Sequence, residues 1–525
     1  MSHRRVFIKQ VGSSAIGLSL LQALPAFATK DFFKGPFILP RSTPEQQGIS
    51  SLDISGFLNA IKESKQEFHS LMIIRHGHVI TEGWWSPYSS EHRQQLYSLS
   101  KSFTSTAIGL AVTDGLLSVE DPVIKFYPDL LPDKISDNLA ALKVKHLLSM
   151  SVGHAKDSIL IIEASAPGVF WEKTFLSLPV VFAPGSQFMY NSGASYMLSS
   201  IVKKVTGKSA HEYLKPRLYQ PLDITGATWT ENFEGVNIGA SHLRIRTEDI
   251  AKLGQLYLQK GKWNGEQIIP EKWVAAASSK QIENGKNDSS WGYGYGYQFW
   301  LNPPGGFRAD GAFGQFSMVL PELDAVVAIT SESIDTKTTM QIVWDNLLPK
   351  MKAGPLPINS SGHQQLLKEL KSLKYDPPIL ANSSVLASKI NGKEFLLDKN
   401  IFNARSVSFS FTDEACIFTL KEEGKPDIVL KNGINKWIRK GNLKPAPHSL
   451  FSLRRIDFDS IVAASATWKD DHTLLLSWRF IETVHGDTLT CIFDGDKVTI
   501  KFLFSVNRLQ NKPDDRADIE GKMMA

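Results

Sequence analysis

Residues 97–105 read YSLSKSFTS and place Ser98 three positions before Lys101. On a helix this spacing sets the two side chains one turn apart on the same face, so the amine can reach the hydroxyl. A serine becomes an effective nucleophile when a neighbouring base accepts its proton. Apolar residues at helical spacing over 101–114 predict a buried helix whose positive N-terminal end faces Ser98 and would stabilise a developing anion.

The same spacing occurs a second time, at Ser200 and Lys203. A bare S-x-x-K pattern is often accidental, so the surrounding sequence has to separate the two pairs. The second pair lies near the end of a predicted helix over 193–206 that stops at Gly207. Lysines in a last turn are ordinary C-terminal residues, and no anion is stabilised there. We therefore interpret Lys203 as a solvated cap.

A second stretch, FMYNSGASYML, places Tyr190 in a loop directly before that helix. From such a position a phenol can project into a cleft. Beside a lysine ammonium its pKa is expected to fall, which suits a proton shuttle between serine and leaving group. The alternative is a tyrosine packed at a helix start.

A third stretch, GAFGQFSMVLP, places Gly311 and Gly314 at the head of a strand. Glycines there let the backbone approach a ligand closely, so the N–H of Gln315 could point at a substrate carbonyl oxygen. The alternative is a bulge or a bend on an edge strand.

Strand patterns lie at both ends of a mainly helical middle. Residues 70–85 predict two strands around a turn, and residues 291–301 and 314–330 predict further strands. In between, a helix over 247–260 with Thr247 as its cap is predicted. Strands from distant segments suggest one shared sheet, which makes the fold class α+β.

After residue 352 the composition changes. We predict an α+β domain over 29–352, a linker over 353–384 and a separate all-β domain over 385–525, either a sandwich or a closed barrel. Short alternating runs such as residues 498–504 carry that prediction.

The N-terminus has the form of an export signal over residues 1–28. Arg4 and Arg5 precede a short apolar run that ends in an A-x-A pattern at Ala26 and Ala28. The paired arginines resemble a twin-arginine signal, and the Sec route stays an alternative. The expected location is the periplasm or the exterior, with no stable membrane anchor after cleavage of the signal.

Charge excludes one class of partner. The chain carries 58 lysines and arginines against 53 aspartates and glutamates, a formal charge of +5 that falls to +2 without Arg4, Arg5 and Lys9. A net charge this close to zero does not indicate nucleic-acid binding by the mature chain.

The sequence also gives no sign of a metal site. Its two cysteines, Cys416 and Cys491, are too few for a cysteine-rich site, and they either form a disulfide or stay buried thiols. His154 and His242 are interpreted as structural, because nothing near them has metal-ligand spacing.

Taken in order, Ser98-x-x-Lys101, Tyr190-Asn191-Ser192 and the glycine-rich stretch 311–315 resemble the three motifs of the serine β-lactamase and penicillin-binding-protein superfamily. The class C-like branch, with esterases and 6-aminohexanoate-dimer hydrolase, is most similar. The resemblance spans about residues 40–350. It implies a β-lactamase/transpeptidase-like domain with an antiparallel sheet flanked by helices.

The resemblance also implies roles. Ser98 would attack a carbonyl and form an acyl-enzyme, while Lys101 and Tyr190 would manage the proton. The backbone N–H groups of Ser98 and Gln315 would form the oxyanion hole, and water would release the acyl group. Neither a metal nor an organic cofactor is implied.

Two departures bear on the substrate. Members that act on penicillins have a cation at the third motif, where this chain has Ala312, Phe313 and Gly314, and an asparagine where it has Ser192. The predicted substrate-binding residues, which include an aromatic entrance suited to an apolar ester or amide, are Ser192, Phe313, Gly314 and Phe316.

Two further sets of side chains leave alternatives open. The tyrosines of GYGYGY, Tyr293, Tyr295 and Tyr297, belong either to this entrance or to the cover of the sheet. Arg308 or Arg246 could replace the missing cation if either faces the cleft.

The sequence thus predicts an exported serine hydrolase acting on a small ester, amide or peptide-like substrate. One alternative is a β-lactamase or D-alanyl-D-alanine carboxypeptidase. Another is a non-catalytic binding protein on a hydrolase scaffold, with the β-domain as its working part. Nothing in the sequence indicates the oligomeric state.

Overall fold

The computed structural model describes residues 39–286, 290–443 and 460–524. The predicted export signal over residues 1–28 lies outside these ranges, so export stays a prediction. Within them, no helix is both long enough and apolar enough to cross a membrane.

The first part of the chain is organised around a six-stranded antiparallel sheet with the strand order β2-β1-β11-β10-β9-β8. The strand β1, from the start of the chain, pairs directly with β11, as the sequence patterns predicted. The strands of this part are β1 Phe68–Arg75, β2 His78–Trp84, β3 Gln94–Gln95, β4 Thr228–Trp229, β5 Leu243–Ile245, β6 Lys262–Trp263, β7 Glu266–Gln267, β8 Trp300–Leu301, β9 Phe307–Gly311, β10 Gln315–Leu320 and β11 Ala325–Ser331.

Helices cover both faces of this sheet. One face packs against α1, α11 and α12, and the opposite face packs against α9 with α2 beside it. The helices are α1 Ser51–Ser64, α2 Ser100–Thr113, α3 Asp137–Ala141, α4 Val144–Leu148, α5 Ile159–Glu163, α6 Trp171–Ser177, α7 Ser192–Thr206, α8 Ala210–Leu214, α9 Thr247–Leu258, α10 Glu271–Ser278, α11 Thr336–Asn346, α12 Ser360–Lys371, α13 Val385–Ile390 and α14 Ser505–Leu509. The predicted antiparallel sheet flanked by helices is confirmed.

The cap of α9 was assigned to the wrong residue. Arg246, not Thr247, is the N-cap, and Asp249 Oδ2 accepts a hydrogen bond from the Arg246 backbone N–H at 3.2 Å. Thr247 is the first helical residue, and its hydroxyl lies 2.7 Å from Ser70 Oγ in the sheet. A carboxylate three residues into the helix thus satisfies the backbone N–H of the cap residue, which is the reciprocal half of a capping box.

The glycine-rich stretch 291–301 is mostly not a strand. Only Trp300–Leu301 pairs regularly. Gly294 has φ +113°, and a Cβ at Gly296 would lie 2.1 Å from the carbonyl oxygen of Ala277 at the end of α10. The segment therefore crosses α10 in an irregular path that the aromatic alternation does not indicate.

The C-terminal part is a ten-stranded sheet that closes on itself, because β15 and β17 also pair. Large apolar side chains, including Phe409, Trp468 and Trp478, fill its interior. The predicted all-β domain is confirmed, in its barrel form. Its strands are β12 Glu394–Leu397, β13 Ala404–Phe411, β14 Ala415–Glu422, β15 Ile428–Ile434, β16 Ile438–Leu443, β17 Ser460–Asp470, β18 Thr473–Phe480, β19 Gly486–Asp494, β20 Lys497–Phe504 and β21 Ile519–Met523.

Cys416 and Cys491 are both buried inside this barrel as free thiols. Burial raises the pKa of both thiols, so neither is a reactive thiolate at neutral pH. Of the two open alternatives, the structure has the unpaired one.

Part of the predicted linker over 353–384 is folded. It contains α12, whose Leu366 is buried in the core between the sheet and α1. The boundaries of the predicted domains stay predictions.

Candidate active site

The nucleophile candidate lies in a single turn of 3₁₀ helix, Tyr97–Leu99, that leads directly into α2. Lys101 Nζ donates to Ser98 Oγ at 3.1 Å and to the carbonyl oxygen of Ala240 at 2.8 Å. Ser98 is half-buried, whereas Lys101 is 2% exposed. The helical spacing therefore brings the serine and the lysine together as predicted.

Burial changes the protonation of this lysine. Desolvation lowers the pKa of Lys101 to about 7, and the more distant carboxylate of Asp157 opposes that shift only in part. Both direct contacts of the amine, to Ser98 and Ala240, are with neutral oxygens. At neutral pH a large fraction of Lys101 is thus the free amine, which can accept a proton from Ser98.

Tyr190 lies in the loop before α7, as predicted, and its hydroxyl hydrogen-bonds the side chain of Ser98. Lys101 Nζ lies 5.0 Å from the centroid of the Tyr190 ring. Burial raises the pKa of Tyr190, so the expectation of a lowered pKa is wrong. That expectation assumed a charged lysine beside the phenol. Burial instead favours the neutral amine of Lys101 and the neutral phenol of Tyr190.

The third motif is a tight hairpin turn between β9 and β10, and its glycines contact protein rather than open space. A Cβ on Gly311 would lie 2.2 Å from the carbonyl oxygen of Leu96, so this backbone abuts the turn that carries Ser98. Gly311 is also in register with Gln315. The two predicted oxyanion donors, Ser98 and Gln315, therefore lie on adjoining segments.

We expect Gly311→Ala to lower kcat about tenfold through displacement of the Ser98 turn, because backbone at 2.2 Å from the new Cβ cannot yield cheaply. Hydrolysis of p-nitrophenyl esters measures the effect. Gly115→Ala is not a suitable control, since Gly115 has φ +72°, but Gly56→Ala is, because its Cβ meets nothing within 4 Å. Wild-type activity in Gly311→Ala would contradict the close contact.

The predicted substrate-binding residues divide into two groups. Ser192 is the first residue of α7 and is half-buried, and Phe313 and Gly314 lie in the hairpin turn at φ +63° and +86°. Phe316 was assigned wrongly. Its side chain is 0% exposed and packs in the core on the α1 and α11 face, because successive residues of a strand point to opposite faces.

The three tyrosines of GYGYGY have different positions. Tyr295 is buried 6.4 Å from Tyr190, ring centroid to ring centroid, and is therefore close to the site. Tyr297 packs against Trp273 of α10 and covers the core. Tyr293 is half-buried.

Neither arginine that could replace the missing cation is free to do so. Arg308 is fully buried, and its Nε donates to Asp310 Oδ2 at 2.9 Å. Arg246 forms an ion pair with Asp249 at 3.2 Å and caps α9.

The second S-x-x-K pair, Ser200 and Lys203, has contacts unlike those of Ser98 and Lys101. Ser200 Oγ donates to Glu172 and accepts from the Tyr127 hydroxyl at 2.9 Å. Lys203 Nζ donates to the carbonyl oxygen of Gly235 at 2.9 Å, so it holds a neighbouring loop and is less solvated than a free cap.

Three polar residues near the site were not found in the sequence. Asp157 Oδ1 accepts from the backbone N–H of Ser192 at 2.8 Å and so holds the start of α7. Glu332 and His485 lie beside the hairpin turn. No spacing pattern connects these residues, because only the folded chain brings them together.

In the ranges that the structure describes, no group of three or more His, Cys, Asp and Glu side chains could hold a metal ion. His154 Nδ1 lies 3.1 Å from Asn191 Nδ2, next to Tyr190, which is a structural role. His242 is buried at φ +68°.

Comparison with known proteins identifies the fold family. A family model described as Beta-lactamase matches residues 66–347, more than half of the chain. The chain is 24% identical over 290 residues to the 6-aminohexanoate-dimer hydrolase of Paenarthrobacter ureafaciens, which covers 51% of this chain and 74% of that protein. It is 23% identical over 143 residues to a β-lactamase of Escherichia coli K12, which covers 27% and 36%.

Among solved structures, the octameric penicillin-binding protein homologue from Pyrococcus abyssi aligns with 89% of this chain and 99% of its own, at 17% identity and a TM-score of 0.45. The family match over residues 66–347 includes the turn with Ser98 and the hairpin with Gln315. The chain therefore belongs to the β-lactamase family, a family of hydrolases that share this fold.

Proposed function

We propose that this chain is a serine hydrolase that cleaves carboxylic ester or amide bonds through an acyl-enzyme on Ser98. One observation carries the proposal: a buried amine with a pKa of about 7, Lys101, lies 3.1 Å from Ser98 Oγ. A nucleophile and base at this distance are the arrangement that activates a hydroxyl. Membership of the β-lactamase family supports it.

In the acylation step, Lys101 Nζ accepts the proton of Ser98 as Oγ bonds to the substrate carbonyl carbon. The negative charge moves to the carbonyl oxygen, where the backbone N–H groups of Ser98 and Gln315 would stabilise it. Ser98 stands just ahead of the first turn of α2, whose positive end adds to that stabilisation.

The leaving group must gain a proton as its bond to the carbonyl carbon breaks. Because burial raises the pKa of Tyr190, its phenol is protonated and can donate. The proton held by Lys101 then restores the phenol. A water molecule attacks the acyl carbon and gives a proton to Lys101. Lys101 returns this proton to Ser98 Oγ as the bond between Oγ and the acyl carbon breaks, which releases the carboxylic acid and restores the free amine.

The substrate we propose is neutral and apolar next to the scissile bond. Ala312 and Phe313 stand where a carboxylate-binding cation would lie, and Arg308 and Arg246 are each paired with an aspartate. The name of one relative, 6-aminohexanoate-dimer hydrolase, supports amides alongside esters.

The test combines labelling with turnover. The chain from residue 29 is treated with a fluorophosphonate and its intact mass is measured, with Ser98→Ala as the control. Hydrolysis of p-nitrophenyl esters is then compared with hydrolysis of the chromogenic cephalosporin nitrocefin.

We expect one label per chain that is lost in Ser98→Ala, and ester turnover far above nitrocefin turnover. Faster nitrocefin turnover would favour the β-lactamase alternative and a carboxylate-binding group elsewhere. A folded protein with neither label nor turnover would favour the binding-protein alternative.

A further inference from the structure

The C-terminal barrel contacts the strand that leads to Ser98 through residues 481–485, the turn that joins β18 to β19, which we call the docking turn. Gln94 Nε2 donates to the carbonyl oxygen of Ile481 at 2.5 Å, and the Gln95 backbone N–H donates to that of Glu482 at 3.1 Å. Both glutamines belong to β3, which leads into the turn Tyr97–Leu99 that carries Ser98. The docking turn thus lies along the chain that carries Ser98.

The last residue of the docking turn, His485, connects two residues of the hydrolase part. Its Nε2 lies 2.6 Å from the hydroxyl of Tyr97, and its Nδ1 lies 2.7 Å from Glu332 Oε1. Its side chain is 7% exposed. Since the carboxylate can only accept, Nδ1 carries a hydrogen, and in the neutral imidazole Nε2 then accepts from Tyr97.

Tyr97 and Phe313 are the two partly exposed side chains that this contact holds. Tyr97 directly precedes Ser98, and both aromatic residues have left-handed backbones, at φ +50° and +63°. The ring centroids lie 5.2 Å apart for Tyr97 and Phe313, and 4.8 Å apart for Phe313 and His485. Bulky side chains keep such backbone conformations only where the surroundings hold them.

We propose that His485 is a positioning residue of the hydrolytic site. Oriented by Glu332, it fixes Tyr97 and Phe313, and through them the turn that carries Ser98 and the hairpin that carries the Gln315 N–H. The barrel therefore completes the active site, and its histidine backs an aromatic wall that selects neutral, apolar substrates. This inference rests on the proposed acyl-enzyme function.

The barrel is also held by ion pairs that do not involve His485. Arg479 forms a buried ion pair with Glu67, and Arg93 pairs with Glu482 at 2.5 Å. Because neither ion pair includes the His485 side chain, we expect both to persist when that side chain is removed. A role confined to docking therefore predicts normal kinetics for variants of His485.

The experiment uses the full mature chain and three variants: His485→Ala, Tyr97→Phe and the double substitution. We expect each single variant to lower kcat for p-nitrophenyl esters about tenfold with KM nearly unchanged, because an orienting contact acts on the reacting geometry. The double variant should lose about tenfold in kcat relative to the wild type, not a hundredfold, since both substitutions remove the same interaction between Tyr97 and His485.

Two further variants separate positioning from general damage. His485→Gln should recover part of kcat, because its amide oxygen can accept from Tyr97. His472→Ala, an exposed histidine in the β17–β18 turn of the same barrel, should keep wild-type kinetics. Thermal unfolding of every variant checks that it is folded. If His485→Ala does not fold, Tyr97→Phe tests the same contact, because it keeps the aromatic ring and removes only the hydroxyl.

Unchanged kcat in the single variants, or losses that multiply in the double variant, would overturn the inference while leaving the acyl-enzyme intact. A wild-type chain without label or turnover would instead remove the proposed function on which the inference rests.

Discussion

In Lys101→Met we expect kcat/KM for p-nitrophenyl esters to fall by about 10²–10⁴, because the variant lacks the base that accepts the Ser98 proton. In the wild type the active form is the free amine, and the pKa of Lys101 is lowered to about 7. The rate should therefore rise about tenfold per pH unit below that pH and level off above it. This inflection should be absent from Lys101→Met.

The measurement is a pH profile followed at the isosbestic wavelength of the nitrophenol product, which itself titrates near neutral pH. Lys203→Met is the matched control, since it alters the second S-x-x-K pair, and it should keep the wild-type profile. Unfolding of Lys101→Met is not expected. Burial lowers the pKa of Lys101, which means that the charged form of this lysine opposes folding, and methionine carries no charge. An inflection near pH 7 that survives in Lys101→Met would assign the base to another residue.

The sequence was a good guide to the site wherever the information was local. Ser98 and Lys101 are one helical turn apart, and the turn of the helix alone brings their side chains within hydrogen-bond distance. Tyr190 and Gln315 could be placed by the family motifs. The pKa of Tyr190 could not, because its direction depends on how much water the folded site excludes.

The sequence pattern alone could not show which aromatic residues lie on the substrate side. Phe313 and Phe316 look alike in the sequence, but the register of β10 sends Phe316 into the core on the far face. A shift of one residue reverses the face of every side chain in a strand, and no local signal fixes that register here. The contact between Tyr97 and His485 joins residues 388 positions apart.

The fold followed from patterns in the same way. Alternating runs identified the barrel strands, because each buries one face in a common core. The stretch 291–301 misled because its aromatic alternation is typical of a strand, while the close approach of Gly296 to α10 prevents one. Packing against another element decided the outcome there.

In Arg308→Met we expect the free energy of unfolding of the hydrolase part to fall by about 3–5 kcal/mol, because the substitution leaves Asp310 buried without its cation. Burial raises the pKa of Asp310 and lowers that of Arg308, so each charge depends on the other. Urea unfolding followed by tryptophan fluorescence measures the loss. The exposed pair of Arg217 and Asp114 gives the control, and Arg217→Met should cost much less.

The double variant Arg308→Met with Asp310→Asn should recover part of that stability, because it removes both buried charges together. The same pair of variants decides what Arg308 is for. A stable Arg308→Met with a raised KM for substrates that carry a carboxylate would mean that this arginine faces the substrate. Loss of stability with an unchanged KM for carboxylate-bearing and neutral esters alike, in the surviving folded fraction, would mean that the charge of Arg308 serves Asp310 alone, which leaves the site suited to neutral substrates.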